Sequence, residues 1–186
     1  MSQSKDDAPA LQARIQKIKE ILTSPDILTF EFSSLSGKKF AAVYLDGLAD
    51  KNLLGELVVK PLRVAQVSDD GREVAQLLAS PEIKEGKDLQ DAISGILDGN
   101  AALYIDGCKE FYIIGLKNPP GRAVMEPPTQ ITVKGPREGF TEDIKTNLGL
   151  VRKRLKSQRL QVKMLSSGRQ SATAVALCYL EGICRD

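Results

Sequence analysis

The stretch that decides the fold is residues 135–159, GPREGFTEDIKTNLGLVRKRLKSQR. At 100° per residue, Phe140, Ile144, Leu148, Val151 and Leu155 fall on one side, the apolar stripe of an amphipathic helix. The spacing predicts a helix over about 139–157. Pro136 and Gly139 end whatever precedes it, and Thr141 is the expected N-cap. Glu138, Glu142 and Asp143 stand near its start, and Arg152, Lys153, Arg154 and Lys156 near its end, which complements the helix dipole. Asn147 breaks the stripe, bordered by Asp143 and Arg154. Asparagine is a poor helix former and costly to bury unpaired, so it needs a partner, either a neighbouring loop or a ligand.

Upstream, Leu11, Ile15, Ile18 and Leu22 recur at helical spacing, and Pro25 ends that helix. Residues 27–32 and 40–45 read as a hairpin through Ser33-Ser34-Leu35-Ser36-Gly37-Lys38. Residues 51–59 form an expected helix stopped by Pro61, followed by a short one at 74–78. A clearer helix covers 88–97, with Gly99 after its end. Residues 103–105 and 110–114 flank Asp106-Gly107, a strong hairpin signal. Phe40-Ala-Ala-Val-Tyr-Leu-Asp-Gly and Asn100-Ala-Ala-Leu-Tyr-Ile-Asp-Gly echo one another. Pro127 and Pro128 stiffen the loop after Met125, and residues 131–133 read as a strand. Downstream, Leu160, Val162 and Met164 alternate with polar residues, as in a half-buried strand. Residues 171–180 are rich in Ala, Val and Leu and read as a strand buried on both faces, in a central position.

The expectation is an α/β chain: a mixed sheet with hairpins, some pairing parallel, and the 139–157 helix packed on one face. Residues 1–23 form a polar tail and short helix, and 24–186 an α/β domain, with a possible division into two lobes near 99. The 186 residues suit one domain, and the absence of Trp makes the core aliphatic.

There is no histidine, so a Ser-His-Asp or Cys-His arrangement cannot be built from this chain. No phosphate-binding GxxxxGK[ST] loop and no GxGxxG after a strand occur. Asp46, Asp106 and the pair Asp69-Asp70 sit at turn positions, where Asp serves the backbone. Cys108, Cys178 and Cys184 have no metal-ligand spacing and read as reduced thiols. The reading is therefore non-enzymatic, with no cofactor and no metal. No apolar run is long enough to cross a bilayer, and the chain reads as an excised soluble piece.

Net charge is +2, but residues 134–163 carry nine Lys or Arg against three Asp or Glu. One surface should be basic. A solvated, salt-bridged helix face accounts for this, and a nucleic-acid or anionic-lipid contact is the alternative. No nucleic-acid partner is expected, because interleaved aromatics are absent.

The run Lys134-Gly135-Pro136-Arg137-Glu138-Gly139-Phe140-Thr141-Glu142, with Thr146-Asn147-Leu148 and Arg152-Lys153-Arg154, closely resembles the GerA family. These are the A subunits of nutrient germinant receptors in bacterial spores. Arg122, Glu126 and Pro127, Tyr44-Leu45-Asp46-Gly47-Leu48, and the ending from Gly168 through Tyr179-Leu180-Glu181-Gly182-Ile183 also match. The resemblance covers roughly residues 20–186 and implies the soluble N-terminal part of such a subunit, facing the cytosol at the spore inner membrane. It implies B and C partner subunits, homo-oligomers of the full-length protein, and a possible small nutrient ligand, an amino acid or sugar. SpoVAF-type relatives share these motifs and act in germination without being nutrient receptors. Arg122, Glu126, Arg137, Glu138, Asn147 and Arg154 are the candidate ligand- or partner-binding residues. They either pin the Gly-Pro turn to the helix or recognise a ligand through charged, forked groups.

Overall fold

The computed structural model describes residues 10–117 and 139–183. Its element order is α1 (Leu11–Ile21), β1 (Ile27–Ser33), β2 (Lys39–Leu45), α2 (Lys51–Leu54), a π-helical turn (Gly55–Val59), α3 (Lys60–Val64), α4 (Val74–Leu77), β3 (Ile83–Gly86), α5 (Leu89–Leu97), β4 (Ala101–Ile105), β5 (Phe111–Ile114), α6 (Ile144–Arg154), β6 (Leu160–Ser167) and β7 (Thr173–Leu180). This is a mixed α/β fold, as the sequence implies.

Five strands form one sheet in the order β1-β2-β4-β5-β3, and β6 and β7 form a separate two-stranded sheet. Every strand pairing among the described residues is antiparallel, so the expected parallel component is absent from them. The reason is that short turns join β1 to β2 and β4 to β5, and β3 is added at the edge beside β5. The two echoing segments are neighbours: Phe40 faces Ile105 and Ala42 faces Leu103 across β2 and β4.

These two strands are the central ones. All five residues of β4 are buried, as are all residues of β2 after Lys39. One face of the sheet packs α1 and α5 through Ile15, Ile18, Val43, Ile93 and Ile96. The other packs the 51–77 helices through Phe40, Leu54, Val58, Leu62, Val74 and Leu103. Continuous apolar strands are the signature of a sheet covered on both sides.

Pro61 does not stop the second helical run, which continues to Val64 before Ala65 becomes extended. A π turn precedes the proline, with the Lys60 N–H bonding back to the Gly55 carbonyl. The Leu57 carbonyl, which Pro61 has no N–H to meet, accepts from the Ala79 N–H at 3.0 Å. The carbonyl orphaned by the proline is thereby satisfied from outside the helix.

The helix read at 139–157 is shorter, Ile144–Arg154. Asp143, not Thr141, caps it: its carboxylate accepts from the Lys145 N–H at 3.3 Å and the Thr146 N–H at 2.9 Å. Phe140 therefore precedes the helix, off its phase, and is 72% exposed. Leu155 is the C-cap and is also exposed. The buried set is Leu148, Gly149, Leu150 and Arg152, with Ile144 and Val151 half-buried.

β7 corrects a further expectation. It lies in a two-stranded hairpin rather than at a sheet centre, and Thr173, Ala174, Val175 and Leu177 are exposed. Its apolar run matches those of β2 and β4, but among the described residues it pairs with β6 alone and packs beside α6. Of β6, Leu160 and Val162 are buried while Met164 is exposed. The strand read at 131–133 lies outside the described residues.

Candidate functional site

The first two turns of α6 meet the turn after β2 at two glycines. A Cβ on Gly149 would lie 2.5 Å from the Gly47 carbonyl oxygen. A Cβ on Gly47, whose φ is +85°, would lie 2.5 Å from the Lys145 carbonyl oxygen. Backbone against backbone at this distance leaves room only for glycine. The Asp46-Gly47 turn and the Asn147-Leu148-Gly149 helix segment, far apart in sequence, form one seam.

Charges fasten the seam. Asp46 receives Lys51 at 2.8 Å and Lys145 at 3.2 Å. Burial pushes its carboxyl up, but the hydrogen bonds and charges of Lys51 and Lys145 outweigh this and hold it below the usual carboxylate range. Further along α6, Arg152 is buried and reaches Asp26, just ahead of β1. Its Nε donates to Oδ2 at 2.8 Å, and its Nη2 donates to Oδ1 at 3.0 Å and to the Ser24 hydroxyl at 2.8 Å. A forked guanidinium on a carboxylate is the strongest geometry this pairing has. Beside the seam lies a cavity of about 190 Å³, lined by Pro25, Asp26, Asp46, Ile144, Lys145, Leu148, Val162 and Met164. Two carboxylates and one lysine face otherwise aliphatic walls.

Asn147 finds its partner in a loop. Its Oδ1 accepts from the Thr141 N–H at 2.7 Å, and its Nδ2 donates to the Thr141 carbonyl at 2.7 Å. The amide thus replaces a strand-like pair for one residue and folds residues 139–142 onto the helix. Arg154 is on the exposed side of α6. Arg122, Glu126, Arg137 and Glu138 lie outside the described residues.

The basic tract is not one surface. Arg152 points inward to Asp26, Lys156 pairs with Asp98 at 2.7 Å, and Arg159 donates to the Glu181 carbonyl at 2.8 Å. The sequence reading missed Asp26, Arg152 and Gly149. A run of bases looks solvated, and nothing local distinguishes its one buried member. Among the described residues, no three His, Cys, Asp or Glu side chains stand together to hold a metal ion. Among them also, no helix is long and apolar enough to cross a membrane.

The profile of the Bacillus/Clostridium GerA spore germination protein family matches residues 13–186. The chain belongs to this family. It is 30% identical over 184 residues to spore germination protein KA of Bacillus subtilis (strain 168), covering 95% of this chain and 34% of that protein. It is 31% identical over 150 residues to stage V sporulation protein AF of the same organism, covering 78% of this chain and 30% of that protein. The chain thus spans about a third of the length of these relatives. The fold is that of the N-terminal domain of the A subunit of the Bacillus megaterium spore germinant receptor GerK3, with TM-score 0.70 and 22% identity, covering 96% of this chain and 68% of that one. The GerA chain described here therefore joins, at its Gly47–Gly149 seam, two of the segments by which its sequence resembles the family.

Proposed function

We propose that this chain is the cytosol-facing N-terminal domain of a germinant-receptor A subunit, a non-enzymatic module that helps couple nutrient sensing to ion release across the spore inner membrane. The family match over residues 13–186 carries this reading. In the full-length subunit it works with B and C subunits and as a homo-oligomer. Arg122, Glu126, Arg137, Glu138, Asn147 and Arg154 serve the contact to a partner subunit or to a small nutrient, an amino acid or sugar, with Asn147 acting through the loop it holds rather than by touching the ligand. Supporting this, the Asn147 amide spends both its polar atoms on positioning the loop that follows Arg137 and Glu138. The test is nutrient germination of spores carrying Arg137→Ala or Asn147→Leu in the full-length gene at matched protein levels. Loss of response with B and C subunits still co-purifying assigns the cluster to ligand; loss of co-purification assigns it to subunit contact. An undiminished response in both variants overturns the site.

A second reading is favoured by the 31% identity to stage V sporulation protein AF. Under it, the protein acts in germination without sensing a nutrient. Deleting the gene separates the two: a receptor loses the response to particular nutrients, whereas the alternative slows the response to all of them.

A further inference from the structure

Three ion pairs join the five-stranded sheet and its helices to the segment that begins with α6, and all three run in one sense. The acid comes from the sheet side and the base from the α6 side: Asp46 with Lys145 at 3.2 Å, Asp26 with Arg152 at 2.8 Å and Asp98 with Lys156 at 2.7 Å. The sequence enforces this polarity, since no Asp or Glu stands between Asp143 and Glu181. Other links across the seam are polar too. The Gln158 amide donates to Gln90 at 3.3 Å, and the Thr23 hydroxyl donates to Gln161 at 3.1 Å. The hairpin goes with the helix, because α6 packs beside β7.

Among the described residues, the two apolar cores draw all their members from Leu11 to Leu116 and none from α6, β6 or β7. At Gly47 and Gly149 the two sides touch backbone to backbone, without interlocking side chains. Such a contact parts without repacking either core. Opening it returns Arg152 and Asp26 to water, and the hydration regained offsets most of the attraction lost, because a buried ion pair costs nearly as much to desolvate as it gains. The Lys145 and Lys156 pairs are partly exposed, so each is weak and open to screening. Opposed charge of one sign on each side is the build of surfaces that associate and separate, not of segments sharing one core.

We propose that α6 and the β6–β7 hairpin leave the five-stranded sheet and re-dock on it as one unit, with Lys145 on Asp46 and Lys156 on Asp98 acting as a salt-sensitive catch. The docked arrangement is the one described above, and the undocked one is a minor population. Two such arrangements give a ligand, a partner or a change in the ionic surroundings an equilibrium to bias. The inference stands on the seam alone and does not depend on the receptor reading.

The test is amide hydrogen exchange of the 186-residue chain in about 0.1 M and about 1 M sodium chloride, between which the screening length falls from about 10 to about 3 Å. A helix of 11 residues is marginal by itself, so undocking opens the α6 amides to exchange. Exchange at Leu150 and Arg152 is expected to quicken roughly three- to tenfold with salt, while Val43 in β2 and Leu103 in β4 change by less than about twofold. Lys156→Glu sets like charges against Asp98 and should quicken α6 exchange roughly tenfold at the lower salt. Adding Asp98→Lys restores an opposite pair and should restore protection, which a general loss of stability would not allow. Both side chains are about half exposed, 55% and 45%, so the variants fold. Exchange that rises equally in α6 and β4 overturns the proposal, because the chain then opens only as a whole. So does α6 exchange indifferent to salt, and so does a Lys156→Glu effect that Asp98→Lys fails to reverse.

Discussion

Arg152 on α6 and Asp26 ahead of β1, 126 residues apart, form a buried ion pair with the guanidinium fork on both carboxylate oxygens. Their side chains are only 2% and 5% exposed. The same guanidinium holds the Ser24 hydroxyl, so one side chain fixes α6 against the chain's entry into the five-stranded sheet. Removing either partner leaves a buried charge uncompensated. Arg152→Ala is expected to cost about 3–5 kcal/mol. The pair Arg152→Met with Asp26→Leu should recover most of that loss, because an apolar pair of similar volume leaves no orphan charge. Denaturant unfolding of the three variants measures both.

The Gly47–Gly149 contact predicts opposite outcomes for two glycine-to-alanine changes. Gly149→Ala places a methyl against the Gly47 backbone and should destabilise by roughly 1–3 kcal/mol, as overpacking does. Gly55→Ala meets nothing within 4 Å and keeps a helical φ, so it should stabilise by about 0.4–1 kcal/mol through the unfolded chain. Urea midpoints of the two proteins should move in opposite directions.

Asn147→Ala leaves the half-buried Thr141 backbone without its two-point partner. The expected loss is about 1–3 kcal/mol. Asn147→Leu fills the space but restores neither hydrogen bond. It should recover part of the stability while releasing residues 139–142, seen as faster amide exchange at Thr141 with α6 still protected.

Asp46 gives stability an acid limb. Its folded pKa is held down by Lys51 and Lys145 against the upward push of burial. A depressed folded pKa contributes stability that is present above the unfolded value and lost as pH falls through the folded one. The melting temperature should therefore fall below about pH 4. Asp46→Asn should melt lower at neutral pH and show a flatter acid limb.

The sequence by itself determined the local elements and the family. Periodicity placed α1, α5 and a helix across Ile144–Arg154, and turn chemistry placed the β1–β2 and β4–β5 hairpins. Those signals are written in neighbouring residues: an apolar face every three or four positions, or Asp-Gly between two apolar runs. Asn147 announced its need of a partner because a polar group in an apolar stripe must be satisfied. Tertiary structure alone decided which apolar strand is central. The runs 40–45, 101–105 and 173–180 look alike, but helices cover the first two on both faces and leave the third in a hairpin. It alone chose which base of Arg152, Lys153 and Arg154 turns inward, because the carboxylate that receives Arg152 lies at the far end of the chain. It also made Gly149 indispensable, since a glycine within a helix has no evident purpose until another backbone comes to rest on it.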